Sequence, residues 1–96
     1  MNDKANEIKE SAARVLIKYD VKRAALFGSI VRGEDSEESD IDMLVEFKGR
    51  KSLLDLSGLQ LELQELFKRK VDILTYDSLH PLLKGRILSE QEVIYG

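Results

Sequence analysis

Apolar residues recur along the first part of the chain as Ile8, Ala12, Val15, Leu16 and Tyr19, with Lys9, Glu10, Arg14 and Lys18 between them. Because an α-helix turns every 3.6 residues, these spacings gather the apolar set on one face and predict an amphipathic first helix lying against a sheet. A continuous run, Ala24-Ala25-Leu26-Phe27, then stops at Gly28, as a buried strand bounded by a turn does. Beyond position 40 the period changes to two. Ile41, Met43, Val45 and Phe47 alternate with Asp40, Asp42, Leu44 and Glu46, predicting a strand with one core face and a second face that begins with two carboxylates.

Lys48 to Lys51 reads as a polar turn, and Ser52 with Asp55 three positions later resembles a capping box that opens another helix. In that helix Leu53, Leu56, Leu59, Leu63, Leu66 and Phe67 fall on one broad arc, the expected core face. Leu54 and Leu61 fall nearly opposite, a second stripe to be covered by the chain's own tail or by another protein. Val71 to Thr75 reads as a further strand, His80-Pro81 introduces a last short helix through about Ser89, and Val93-Ile94-Tyr95 is strand-like. Helices alternating with strands, without repeats or low-complexity linkers, predict a two-layer α/β (α+β) fold with a small mixed sheet of three to four strands.

Size and charge narrow the function classes. At 96 residues the expectation is one domain, residues 1–96, too small for a separate lid or substrate domain, so that any acceptor comes from outside. The absence of cysteine removes disulfides, zinc knuckles and thiol nucleophiles, which leaves oxygen-ligand metal sites. A formal net charge of −3 argues against gripping bulk nucleic acid. Neither a signal peptide nor a span of about 20 apolar residues is visible, and the expectation is a soluble, cytoplasmic protein. The acidic segment from Gly33 to Ser39 reads as a solvated loop. His80 lacks a partner at metal-ligand spacing and is expected to be structural, as Tyr19, Tyr76 and Tyr95 are expected to be packing residues.

The candidate chemistry lies in Leu26-Phe27-Gly28-Ser29-Ile30-Val31-Arg32-Gly33 and Ser39-Asp40-Ile41-Asp42-Met43-Leu44-Val45. Glycine at a strand's end lets the backbone turn tightly toward a bulky anion. The next residues then offer free N–H groups, and Ser29 a hydroxyl, to phosphate. Asp40 and Asp42, one residue apart in a strand, project to the same face roughly 7 Å apart along the backbone and can share a cation. Magnesium, which combines a few carboxylates with phosphate oxygens and water, suits such a pair. Asp72, an acid interrupting the apolar strand Val71-Asp72-Ile73-Leu74, is the candidate third ligand.

Gly28-Ser29, ten intervening residues, then Asp40-Ile41-Asp42 resembles the signature of the polymerase-β-like nucleotidyltransferases. Phe27-Gly28-Ser29 and Ser39-Asp40-Ile41-Asp42 are similar to the minimal, single-domain members in particular, and the likeness spans essentially the whole chain. The resemblance implies the polymerase-β-like fold. It also implies that Ser29 holds the β- and γ-phosphates, that Asp40 and Asp42 bind two magnesium ions, and that Asp72 is the third ligand and general base. Gly28 supplies the turn, and Arg32, followed by Gly33 as in many relatives, becomes a candidate phosphate contact. Ile30 departs from the pattern, since relatives often carry a polar or basic residue there.

The reaction implied is transfer of a nucleoside monophosphate from a triphosphate, ATP by resemblance, to an acceptor hydroxyl with release of pyrophosphate. Minimal members act as antitoxins that adenylylate a tyrosine of a HEPN-domain toxin. Two other classes stand beside this one. A non-catalytic antitoxin or interaction module would neutralise its partner through the Leu54 and Leu61 stripe. A nucleotidyltransferase acting on a small molecule or RNA would be disfavoured by the acidic charge balance.

Overall fold

The computed structural model describes residues 3–32, 40–49 and 52–96, so the loop expected at Gly33 to Ser39 lies outside the described residues. Helix α1 (Asp3–Lys18) turns Ile8, Ala12 and Leu16 inward at four-residue intervals, as the pattern predicts. Strand β1 (Val21–Phe27) begins three residues before the apolar run, because its first turn of sequence is held by charge as well as by burial. Lys22 and Arg23 are exposed there, and Arg23 Nη2 lies 2.9 Å from Glu46 Oε1 on the neighbouring strand. A single turn, α2 (Ser29–Arg32), follows β1.

Strand β2 (Ile41–Phe47) pairs antiparallel with β1 and parallel with β3 (Val71–Thr75), and β4 (Glu92–Tyr95) pairs antiparallel with the far side of β1. The sheet order is therefore β3-β2-β1-β4, a mixed sheet with β1 and β2 at its centre. Parallel neighbours need a long crossover, which α3 (Leu53–Phe67) supplies. The expected capping box is present: Asp55 N–H donates to the Ser52 hydroxyl at 3.3 Å, and Ser52 N–H donates to Asp55 Oδ2 at 3.0 Å.

The main core lies between the sheet and the α1–α3 layer, where Leu16, Leu26, Met43, Val45, Leu59, Leu63 and Val71 are fully buried. The predicted leucine arc of α3 is only partly inside. Leu59 and Leu63 are buried, Leu56 and Phe67 partly so, but Leu53 and Leu66 are exposed. Helix length explains the difference: fifteen helical residues extend roughly 22 Å, whereas the five residues of β3 beneath extend about 17 Å, so the helix overhangs the sheet. Leu54 and Leu61 are also exposed, and the tail does not cover them, being committed to β1 as β4.

On the opposite face a smaller cluster forms. Leu44 is buried against Tyr76 and Leu79 of the 3-10 turn (Tyr76–Ser78) and its flank, with Phe27, Ile87 and Leu88 beside them. Helix α4 (Pro81–Glu90) thus covers part of this face. His80 caps it, Nδ1 accepting from Leu82 N–H at 3.1 Å, so the histidine is structural. Tyr76 Oη donates to Gln91 Oε1 at 2.8 Å, and Tyr19 and Tyr95 pack against the main core. Among the described residues no helix is long and apolar enough to cross a membrane.

Candidate active site

Gly28 closes β1 with a φ of +78°, in the left-handed region that glycine alone enters without cost. Its carbonyl accepts from Val31 N–H at 3.1 Å and Arg32 N–H at 3.2 Å, which winds α2 directly onto the strand end and sets Ser29 at its first position. Across the sheet, Phe27 pairs with Asp42, so the turn and the carboxylate are neighbours by register. Their approach is close enough that a Cβ at position 28 would stand 2.4 Å from Asp42 Oδ2. Ile30, the departure from the family pattern, is buried in the main core. Its side chain faces the hydrophobic interior, away from the Gly28-Ser29 turn's exposed side.

Asp42 stands opposite Asp72 in the parallel β2–β3 ladder, and Asp40 immediately precedes β2. All three acids are half-buried. Parallel register is what unites them: neither strand's sequence specifies which residue of the other it meets, yet Asp42 against Asp72 places both on the face that carries Leu44. Burial raises the Asp42 pKa above the ordinary carboxylate value, the charges of Asp72 and Asp40 raise it further, and Arg32 works in the opposite sense. Arg32 itself is engaged, with Nη1 3.5 Å from Glu90 Oε2 at the end of α4. Glu90 also lies 3.5 Å from Arg86 Nε.

Lys70 was not among the residues singled out by pattern. Its Nζ lies 3.8 Å from Asp40 Oδ2 and 3.9 Å from Asp72 Oδ1. The signal in the sequence is only its place one residue before Val71-Asp72, which becomes meaningful once the strand register is known.

These acids fit a hard divalent cation in charge and donor type. Among the described residues no three acidic, histidine or cysteine side chains are drawn together closely enough to hold a metal ion by themselves. Magnesium is bound through a few carboxylates together with water and phosphate oxygens, so it does not require the protein to close a cage of its own. Mutual repulsion at Asp42 and an ammonium drawn between Asp40 and Asp72 both mark a place where positive charge is favourable.

A concavity of about 520 Å³ lies at the other end of β2, lined by Val45, Glu46, Phe47, Thr75, Tyr76 and Asp77. It shares no residue with the carboxylate group, and there Arg23 stacks 4.1 Å from the Tyr76 ring centre and pairs with Glu46. Size alone would direct attention to it; the convergence of three carboxylates and a glycine turn directs attention to Asp42.

A sequence model of the family described as polymerase beta, nucleotidyltransferase, matches residues 7–96. The chain belongs to this family. Its reaction class is nucleotidyl transfer, and the mixed four-stranded sheet is the fold of the minimal members. A protein of Methanocaldococcus jannaschii provisionally named a protein adenylyltransferase is 58% identical over 85 residues, covering 88% of this chain and 91% of the relative. The protein adenylyltransferase MntA of Thermococcus cleftensis is 37% identical over 78 residues, covering 81% and 77%. A solved structure described as a minimal nucleotidyltransferase superposes with a TM-score of 0.80 at 33% identity, over 96% of this chain and 95% of that one. A toxin–antitoxin complex with AMP-PNP shares the fold at a TM-score of 0.80 and 20% identity, over 92% and 73%.

Burial of Asp42, together with the negative charge crowded around it, carries a stability consequence. With its folded pKa raised, Asp42 holds its proton more tightly in the folded than in the unfolded chain. Between the unfolded value of about 3.9 and the raised folded value, stability therefore falls as pH rises. Without divalent metal, Asp42→Asn is expected to raise the melting temperature at pH 7 by roughly 2–4 °C, and the gain should vanish below about pH 4. Thermal denaturation of the two proteins in chelator across that range checks this; an unchanged or lowered Tm at pH 7 contradicts it.

Proposed function

We propose that this protein is a magnesium-dependent protein adenylyltransferase that moves AMP from ATP to a tyrosine hydroxyl of a HEPN-domain toxin and thereby acts as its antitoxin. The observation that carries the reading is the register of β2 and β3, which sets Asp42 against Asp72 beside Asp40 and the Gly28-Ser29 turn. Relatives named as protein adenylyltransferases support the donor and the type of acceptor. A fold neighbour is described as an MNT antitoxin in complex with a tri-AMPylated HEPN toxin of Shewanella oneidensis, which supports the partner class. The protein acts as one domain in the cytoplasm, with the acceptor supplied by its partner.

In this mechanism the Gly28-Ser29 turn receives the triphosphate through backbone N–H groups and the Ser29 hydroxyl, and Arg32 offsets its charge. Asp40, Asp42 and Asp72 would hold two magnesium ions, which would supply a lowered pKa for the acceptor hydroxyl and positive charge for the leaving pyrophosphate. Asp72 accepts the hydroxyl proton as the oxygen bonds to the α-phosphorus. The bond from that phosphorus to the bridging oxygen breaks, and pyrophosphate leaves.

The test is incubation with magnesium, a HEPN-domain protein from the same organism, and each of the four ribonucleoside triphosphates separately, followed by intact-mass and peptide mapping of the partner. One or more AMP additions on tyrosine, obtained with ATP and abolished by EDTA, is the expected result. Silencing of the partner by the protein without any added nucleotide mass would favour neutralisation by binding instead.

A further inference from the structure

We propose that Lys70 is a resident counter-cation of the carboxylate centre, occupying the space between Asp40 and Asp72 and competing with the divalent ions that load there. The inference rests on the metal-binding reading of those acids given above.

Two ion-pair contacts carry it. Lys70 Nζ lies 3.8 Å from Asp40 Oδ2 and 3.9 Å from Asp72 Oδ1, so one ammonium spans the acid just before β2 and the acid within β3. The backbone beneath it is fixed on both sides: the Lys70 carbonyl accepts from Ile41 N–H at 2.9 Å, and Val71 N–H donates to Gln64 Oε1 of α3 at 3.1 Å. Lysine at this position is thus tied next to Asp40 by the start of the β2–β3 ladder and two positions before Asp72 by sequence. Its flexible stem and compact charge suit a cation that can withdraw.

The physical consequence concerns the balance of charge at the centre. Three carboxylates with little compensating charge would repel one another, and an ammonium within 4 Å of two of them relieves part of that repulsion. An incoming ion must displace the ammonium, which weakens binding of metal alone. A nucleotide brings phosphate oxygens that complete the ion's shell and give the displaced ammonium a new anionic partner. Lys70 thereby biases the site toward metal arriving with nucleotide. Because the side chain is largely exposed, solvent screening keeps the effect moderate.

The experiment measures Mn²⁺ binding to the nucleotide-free protein by electron paramagnetic resonance, with no turnover involved. Lys70→Gln is expected to tighten Mn²⁺ binding roughly three- to tenfold, whereas Lys70→Arg, which keeps the charge, stays near the original affinity. Lys68→Gln, which removes a charge from the same connecting segment, should change little. Unchanged or weaker binding in Lys70→Gln overturns the inference, and so does equal tightening in Lys68→Gln, which would reduce Lys70 to general surface charge. Asp42→Asn distinguishes the two levels. If it leaves Mn²⁺ affinity unaffected, the metal-binding reading itself fails; if it weakens binding while Lys70→Gln fails to tighten it, only the role of Lys70 fails. Circular dichroism of each variant verifies that the fold is retained.

Discussion

Asp42→Asn is expected to lower nucleotidyl transfer by at least about a thousandfold while leaving the secondary structure unchanged. A carboxamide has the same shape as the carboxylate, so contact with the Gly28 turn survives. What changes is charge: the amide is a poor ligand for a hard dication, and it removes the central acid of the three, the one whose ionisation both Asp40 and Asp72 oppose. A thousandfold loss corresponds to about 4 kcal/mol of transition-state stabilisation, a plausible size for a group that organises the developing charge. Single-turnover assays of AMP incorporation at saturating ATP measure it directly. Retention of a tenth or more of the original rate would remove Asp42 from the mechanism. The same substitution is expected to stabilise the metal-free protein, so loss of activity with a higher Tm separates chemistry from folding.

Gly28→Ala should damage both at once. A φ of +78° costs an L-residue about 1–2 kcal/mol, and the new methyl would meet Asp42 Oδ2 at 2.4 Å, a distance no real contact sustains. Either the turn or the carboxylate must move. Displacing a reacting group by about 1 Å can cost roughly a hundredfold in rate, and the strain alone should lower Tm by about 4–16 °C. Activity and thermal denaturation of this variant check the pair of effects. Normal activity would mean that the carboxylate need not sit against the turn.

Much of this arrangement is legible in the chain because it is written in local patterns. Alternation from Ile41 to Phe47 defines β2, the run ending at Gly28 defines the end of β1, and acids at Asp42 and Asp72 interrupt strands where acids are disfavoured. The beginning of β1 is less legible, since Lys22 and Arg23 enter the strand through cross-strand charge with Glu46 rather than through hydrophobicity. The α3 arc reads as uniformly buried, although burial is set by how far the sheet extends beneath it, and Leu53 and Leu66 fall beyond that limit. Ile30 shows the reverse case. Against the family's pattern it looks like a weakness in phosphate binding, whereas the structure commits it to the core.

The contacts of Lys70 and Arg32 belong to a different class of information. Lys70 reaches two acids only because β2 and β3 are parallel in one register, and Arg32 meets Glu90 only because α4 returns beside α2. Neither proximity has a periodic signature. Such residues stand at the margins of elements, where sequence patterns end and tertiary packing decides the neighbours.

The most direct measurement of the central claim is a crystal structure of the protein with magnesium and a non-hydrolysable ATP analogue. Metal coordinated by Asp40, Asp42 and Asp72, with the triphosphate resting on the Gly28-Ser29 turn and Lys70 withdrawn from the carboxylates, is the predicted result. Nucleotide bound in the concavity between Phe47 and Asp77, with no metal on Asp42, would contradict it.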